Sequence, residues 1–470
     1  MTSFIPMVLS FLMFAQAQPT KPNIVLLFAD DQRADTIHAL GNNQIITPNL
    51  DALVREGTSF DRAYIMGGLQ GAVCVPSRAM MLSGKSLYRV SEQLKENTTW
   101  PMVLRQSGYQ TFATGKWHNG APALAASFPN AKSIYLGGMS DQFGTPMADV
   151  GPDGKMTNQR KPPEHCSEVF ADEAIRFLKN ADKDKPFAVY VAFKSPHDPR
   201  QAPQKYLDMY DSSKVTLPPN YLPEHPFNNG ELIIRDERLE KWPRSKSAIQ
   251  KHLAEYYAII SHQDAQIGRI VQALKEKGVY ENTLIVFAAD NGLAIGSHGL
   301  MGKQSVYEHS VRIPLVVKGP GIPKDKRTNA MCLTIDLFPT FCEVAGAKAP
   351  PVVEGKSLVP VLSGRETTHR SEILTGYRHL MRGFRDDRFK LIVNIAVNKT
   401  QLFDLQDDPH ELRDLSSEAG MKEKVGQLME GMKKAQQSWG DKQSLTPEKA
   451  LPLKFDFSKV PEEKAKKGKS

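Results

Sequence analysis

The stretch Asn23-Ile24-Val25-Leu26-Leu27-Phe28-Ala29-Asp30-Asp31 is an apolar run closed by two consecutive carboxylates. So short a run, rich in β-formers and without polar alternation, predicts a strand covered on both faces, as in parallel sheets packed between helices. Phe187 to Phe193, Leu284 to Ala289 and Ile313 to Val317 are runs of the same kind. Helical patterns lie between them. Ser167 to Asn180 places Val169, Phe170, Ala174, Phe177 and Leu178 on one face, and Ala248 to Lys277 reads as one long helix stopped by Gly278. Strands alternating with helices specify an α/β fold, a large mainly parallel β-sheet sandwiched by helices and joined by right-handed crossovers.

After about Gly364 the pattern changes. Tyr377 to Phe384 and Arg388 to Asn394 read as hairpin-like strands, followed by Leu402-Phe403-Asp404-Leu405 and a helical stretch from Met421 to Gln437. The expected organisation is a large unit over residues 21–364, a smaller C-terminal α+β domain on an antiparallel sheet over 365–445, and a basic, solvated tail over 446–470. Leu217 to Asn229, rich in Pro and Asn, reads as an irregular surface loop. At the other end, the apolar run Phe4 to Ala15 and the small-x-small Ala15-Gln16-Ala17 fit a cleaved secretory signal over residues 1–17. That run is too short to span a bilayer, and no other segment is long and apolar enough. The expected location is extracytoplasmic, secreted or periplasmic.

The 470 residues are 40% hydrophobic and 24% charged, an ordinary globular composition with room for a large core. The net charge of +8 comes from scattered lysines and arginines, clustered only at Lys464 to Lys469, so nucleic acid is not an expected partner. Four cysteines, Cys74, Cys166, Cys332 and Cys342, are too few for a disulfide scaffold. Cys332 and Cys342 could pair, although the intervening Ile335-Asp336-Leu337-Phe338-Pro339 reads more like a helix flanked by buried thiols.

In open parallel sheets the ligand site lies at the carboxyl ends of the strands. Here those ends carry Asp30-Asp31, Asp290-Asn291-Gly292, Ser195-Pro196-His197-Asp198-Pro199 and Gly115-Lys116-Trp117-His118. Converging carboxylates repel one another unless a cation intervenes. An all-oxygen ligand set favours a hard ion, calcium or magnesium. Lys116 and His118, two apart on an extended segment, project to the same side. In Cys74-Val75-Pro76-Ser77-Arg78 a thiol stands beside a permanent cation, an environment that lowers a thiol pKa, and Pro76 is pre-set for a turn into a helix. With Arg78, Lys116, His118, His197 and Lys303, the set suits a tetrahedral oxyanion.

These motifs, with Lys303 followed by Tyr307-Glu308 and Arg312-Ile313-Pro314, and with Leu402 to Glu411 near the end, make the chain resemble a type I sulfatase of the alkaline-phosphatase-like superfamily. The resemblance spans about residues 21 to 440, in order. It implies that Cys74 is oxidised to formylglycine by a maturation enzyme, and that one hydroxyl of the hydrated aldehyde attacks sulfur while the other expels sulfate. By the same resemblance His118 deprotonates that second hydroxyl, His197 and Lys303 serve the leaving oxygen, Arg78 holds the hydrate, and Lys116 neutralises sulfuryl oxygens. Asp30, Asp31, Asp290 and Asn291, together with position 74, correspond to the metal ligands, with Ca2+ usual in the family and Mg2+ possible.

The departures from the family pattern are Ser83, Asn119 and His309. His309 and Arg200 stand as expected substrate-binding residues beside Lys116, His197 and Lys303. The polar insertion from His197 through Arg244, with Asp198, Arg200, Arg235, Asp236 and Arg238, points to a sulfated carbohydrate. The alternatives are a phosphonate monoester or phosphodiester hydrolase of the same superfamily, and a non-catalytic carbohydrate-binding relative.

Overall fold

Every residue of the strand Asn23–Asp30 is buried, because the strand lies inside a ten-stranded sheet. The computed structural model describes residues 21–460; the expected signal segment and Lys464 to Lys469 lie outside the described residues. Across the sheet the order is Lys326–Thr328, Thr58–Phe60, Leu315–Lys318, Thr283–Ala289, Asn23–Asp30, Phe187–Pro196, Gln110–Lys116, Ala131–Tyr135, Met147–Val150 and Met156–Arg160. The middle of the sheet, from Thr283–Ala289 to Ala131–Tyr135, is parallel throughout. Antiparallel pairs occur only towards the margins, at Leu315–Lys318 and at the two strands after Tyr135.

Both faces are covered. Phe112 pairs in register with Val189, and Ala113 with Tyr190, so Phe112 and Tyr190 point to opposite faces. Phe112 stacks on Phe177 of the helix Cys166–Asn180 at 4.6 Å. Tyr190 meets Trp100 of the helix Trp100–Gln106 at 6.4 Å, and Trp100 in turn packs on Phe341 of Leu337–Val344 at 5.1 Å. Beside Cys166–Asn180 runs the 31-residue helix Lys246–Glu276, capped at its start by Ser245, whose hydroxyl accepts from the Ala248 amide.

One expected strand splits in two. Arg312–Ile313 belongs to a separate three-stranded sheet and Leu315–Lys318 to the large one, antiparallel to its neighbour. Between them Pro314 supplies no amide for either ladder. Tyr377 to Phe384 likewise is not one strand but the hairpin itself: Ile373–Tyr377 and Met381–Arg385 pair antiparallel around a turn in which Arg378 takes a positive φ of 47°. With Phe389–Asn394 and Lys399–Asp404 they form a second sheet, covered by the helix Lys422–Trp439 through Leu428, Met432 and Ala435.

Two features tie this second sheet to the first part of the chain. Gly67–Gly68 adds a parallel edge to Ile373–Tyr377, so close that a Cβ on Gly67 would lie 2.1 Å from the Gly376 carbonyl oxygen. In the interior Lys390 Nζ lies 2.9 Å from both Glu308 and Glu411, while the Tyr64 hydroxyl donates to Glu308 at 2.8 Å. The tail expected to be free from residue 446 stays attached through its described part. Leu451 donates to Ala396, Leu453 accepts from Asn228, and Phe457 packs on Trp242 at 5.4 Å. All four cysteines are buried free thiols, so the Cys332–Cys342 pairing does not form. No helix among the described residues is long and apolar enough to cross a membrane.

Candidate active site

Four adjacent parallel strands deliver their carboxyl ends to one place. Asn23–Asp30 and Thr283–Ala289 end level, Ala29 opposite Ala289, so that Asp30-Asp31 and Asp290-Asn291 meet side by side. The Asp31 amide donates to Asp290 Oδ1 at 2.9 Å, and Asn291 Nδ2 donates to Asp31 Oδ1 at 2.8 Å. Phe187–Pro196 brings His197, and Gln110–Lys116 brings Lys116 and, beyond it, His118. Gly115 makes this possible: its φ is +106°, and a Cβ there would sit 1.9 Å from the Ala192 carbonyl oxygen.

The fifth contribution is the helix Cys74–Ser83, which places Cys74 at its first residue, where backbone amides and the helix dipole favour an anion. Cys74 Sγ lies 3.3 Å from His118 Nδ1 and 3.8 Å from Lys116 Nζ. Arg78, one turn later and fully buried, donates from Nε to Asp290 Oδ2 at 3.0 Å and from Nη1 to the Lys116 carbonyl at 2.8 Å. Asn119 is buried beneath the motif, where its amide donates to the Val75 and Glu92 carbonyls at 2.9 and 2.7 Å. It therefore holds the start of the helix.

Lys116 and His118 do reach one space, but not by strand alternation. The strand stops at Lys116, and His118 has a left-handed φ of +72° that turns its ring towards Cys74. Asp31, with φ +66°, is also left-handed. Non-glycine residues in this region cost of order 1–3 kcal/mol and cluster at functional sites.

Three carboxylates and three cations are interleaved here. Lys303, 3% exposed, donates to Asp31 Oδ1 at 2.6 Å, and Lys116 pairs with Asp30. Burial opposes ionisation of Asp30, yet Lys116, His197, Arg78 and Lys303 together hold its carboxyl well below the usual range. Burial and the charge of Asp30 push Asp290 the other way, up to about 7. Burial also raises the Cys74 thiol, against the pull of Lys116 and Lys303. The expected lowering does not occur, because burial outweighs the nearby cations. Burial, followed by the charge of Lys116, drives His118 down to about 2, and burial lowers His197. His197 Nδ1 lies 2.8 Å from the Asp198 carbonyl, which leaves Nε2 facing Asp31 at 3.7 Å.

The oxygens suit a hard cation. Asp30 Oδ1 and Asn291 Oδ1 are buried with no hydrogen-bond partner among the described residues. Candidate ligand atoms of Asp30, Cys74 and Asp290 lie within 4.8 Å of one another, as do those of Asp30, Asp31 and His197. A divalent ion would satisfy both the orphaned oxygens and the clustered charge.

Two expected substrate residues point elsewhere. His309 faces a separate cluster, with ring centroids 5.4 Å from His298 and 5.7 Å from Tyr307, because the Gly292 amide binds the neighbouring Ser310 carbonyl and fixes that turn. Arg200 turns inward onto His252 at 3.0 Å and over the Tyr256 ring. Tyr256 is a functional neighbour that sequence reasoning missed: its hydroxyl donates to the Asp31 carbonyl at 2.5 Å and accepts from the Arg33 amide at 2.9 Å. In sequence it is one more apolar position on the long helix, with no signal of this role.

The family model for sulfatases matches residues 22–347, which carry every group just described except the second sheet's buttress. The chain is a type I sulfatase. As such it is a sulfuric ester hydrolase of the alkaline-phosphatase-like superfamily, and residues 296–438 also match the C-terminal family of N-sulphoglucosamine sulphohydrolase. This sulfatase is 27% identical to an N-acetylglucosamine-6-O-sulfatase of Bacteroides thetaiotaomicron, over 91% of this chain and 88% of that one. It is 30% identical to an arylsulfatase of Clostridium perfringens, over 87% and 93% of the two chains. A solved structure in complex with its substrate D-glucosamine-2-N,6-O-disulfate superposes on the sulfatase with a TM-score of 0.76 at 25% identity, covering 90% of this chain and 99% of that one.

Proposed function

We propose that this sulfatase removes sulfate from a sulfated carbohydrate outside the cytoplasm, with a formylglycine made from Cys74 and a divalent metal, Ca2+ or Mg2+. The observation that carries the reading is the placement of Cys74. Its Sγ stands at a helix N-terminus, 3.3 Å from His118 and 3.8 Å from Lys116, beside the carboxylate cluster. A buried thiol whose pKa is raised is a poor nucleophile, which supports reading Cys74 as a precursor. Hydrated formylglycine would supply two hydroxyls on one carbon, one to attack sulfur and one to help sulfate leave. Asp30, Asp31, Asp290 and Asn291, with position 74, would hold the metal, which supplies positive charge against the sulfuryl oxygens.

The roles of the chain's own residues follow from protonation and aim. His118, kept neutral, offers Nδ1 as a proton acceptor to the group at position 74. His197 presents Nε2 towards Asp31, with its tautomer set by the Asp198 carbonyl, and serves the leaving oxygen together with Lys303. Lys116 and Arg78 complete the anion site. The carbohydrate is supported by the named substrates of the relatives and by the polar loop over residues 197–244. The extracytoplasmic location is supported by the signal-like run Phe4 to Ala17. The division at about residue 364 belongs to the same proposal, residues 21–364 carrying the catalytic set and 365–445 buttressing it.

Mass spectrometry of the peptide bearing Cys74 tests the nucleophile: the modified peptide lacks the elements of hydrogen sulfide and carries one oxygen more. Rates of wild type and Cys74→Ala on monosulfated sugars, 4-nitrophenyl sulfate and a phosphonate monoester test the reaction. The expected result is sulfate release from sugars by wild type alone. Undiminished hydrolysis by Cys74→Ala, or a preference for the phosphonate, refutes it.

A further inference from the structure

Arg235 stands where loops next to His118, His197 and Lys303 come together. The loop after Tyr135 lies on His118, since a Cβ on Gly138 would approach His118 Nε2 to 2.9 Å, and Met139 follows it. Asp198 follows His197. Gln304 follows Lys303, accepting from the Lys303 amide at 3.0 Å and donating to Asp236 Oδ2 at 2.7 Å. Arg235, on the short helix Arg235–Leu239, donates from Nη1 to Asp198 Oδ1 at 2.9 Å and to Asp236 Oδ1 at 3.0 Å. Its Nη2 meets Asp198 Oδ2 and the Met139 sulfur. The guanidinium thus meets the His197 loop through Asp198 and the loop lying on His118 through Met139, while the Lys303 loop rests, through Gln304, on its neighbour Asp236.

The exposure gradient matters. Asp198 and Asp236 side chains are only 9% and 13% exposed, whereas Arg235 is 38% exposed and Met139 52%. The carboxylates are the floor of this array and Arg235 its open face. A carboxylate has about four acceptor sites and a guanidinium five donors, so capacity remains on both after their mutual bonds. Hydroxyl groups, which donate and accept, match such a surface; the C–H face of a pyranose matches the apolar methionine.

Resting on the carbohydrate reading above, we propose that Arg235, with Asp198 and Asp236, forms the subsite that holds the sugar ring bonded to the leaving oxygen and reads its free hydroxyl groups. Arg235 is a specificity residue, not one that acts on the sulfate. A substrate whose alcohol has no further hydroxyls, such as 4-nitrophenyl sulfate, leaves the array unused.

The test compares kcat/KM on the best monosulfated monosaccharide of a panel with kcat/KM on 4-nitrophenyl sulfate, for wild type, Arg235→Ala and Arg235→Lys. Hydrogen bonds to a charged group are worth about ten- to a hundredfold. The sugar-to-aryl ratio should fall by about that factor in Arg235→Ala, mainly through KM, and by less in Arg235→Lys. In wild type, removing the hydroxyl that Arg235 reads should slow hydrolysis of the single-deoxy sugar sulfate about tenfold, and in either variant that penalty should shrink. An unchanged ratio overturns the subsite while sparing the carbohydrate reading; so does a wild type indifferent to every deoxy analogue, whether or not the variants fold. A wild type that cleaves the aryl ester and no sugar sulfate overturns both.

Discussion

Binding of a divalent cation at the strand ends should be strongly linked to a proton, and the proton belongs to Asp290. In the metal-free fold, burial and the charge of Asp30 raise the Asp290 carboxyl from 3.8 to about 7. Between those values the folded chain holds a proton that the unfolded chain has lost. The sign follows: as pH rises from about 4 to 7 this group destabilises the metal-free fold, by roughly 4 kcal/mol in all at 1.36 kcal/mol per pKa unit. A cation that takes the carboxylate must displace that proton, so affinity should climb about tenfold per pH unit up to about 7 and then level off. Asp30, already held ionised, adds no such slope, and burial lowers His197, which shortens any contribution from that ring. Calorimetric titration with Ca2+ in buffers of different ionisation heat measures both quantities. At pH 5 to 6 close to one proton should leave per ion, falling towards none at pH 8. Asp290→Asn should bind more weakly and without the slope. An affinity flat from pH 5 to 7, or a slope that survives in Asp290→Asn, refutes the assignment.

Three further outcomes are expected. His118→Ala should lower kcat on 4-nitrophenyl sulfate by about a hundred- to ten-thousandfold and lower KM with it, since the lost base serves the second step, release of sulfate from position 74; equal kcat in a steady-state assay argues against that role. Gly115→Ala should cost more than about 3 kcal/mol in thermal unfolding, or prevent soluble expression, because its Cβ meets the Ala192 carbonyl at 1.9 Å with φ at +106°. Lys390→Met should cost about 3–5 kcal/mol by leaving Glu411 buried without its cation, Glu308 keeping Arg312 and Arg385, and adding Glu411→Gln should recover part of the loss in denaturant melts.

The strand ends were legible in the sequence because period and composition report burial on both faces, and the polar residues that interrupt an apolar run mark its end. Asp30-Asp31 and Asp290-Asn291 therefore identify one place before any coordinates exist, and Ala29 opposite Ala289 shows them level. Direction was less legible. His118 reaches Cys74 through a positive φ, and His309 turns away through a carbonyl contact at Gly292; neither is a matter of residue type. Lys303 enters the set only through its motif, since burial of its ammonium depends on a carboxylate far away in sequence, Asp31.

The same logic explains why the loop over residues 197–244 could be recognised as polar but not apportioned. Asp198, Arg200, Arg235 and Asp236 have equivalent side chains for recognising a sugar, and their difference lies in partners. Arg200 lies inside the protein against His252 and over the Tyr256 ring, whereas Arg235 stays 38% exposed and joins Asp198, beside His197, to Met139 and to Asp236, on which Gln304 of the Lys303 loop rests. A charge that ties separate loops together cannot be moved without shifting them, while a charge set against one helix can. The strand ends are thus held from below by register, and the proposed sugar subsite adds contacts beside His197 and Lys303 from above, so Arg235 would bear on specificity and on position together. That coupling is why the ratio of two rates, and not either rate alone, separates its two contributions.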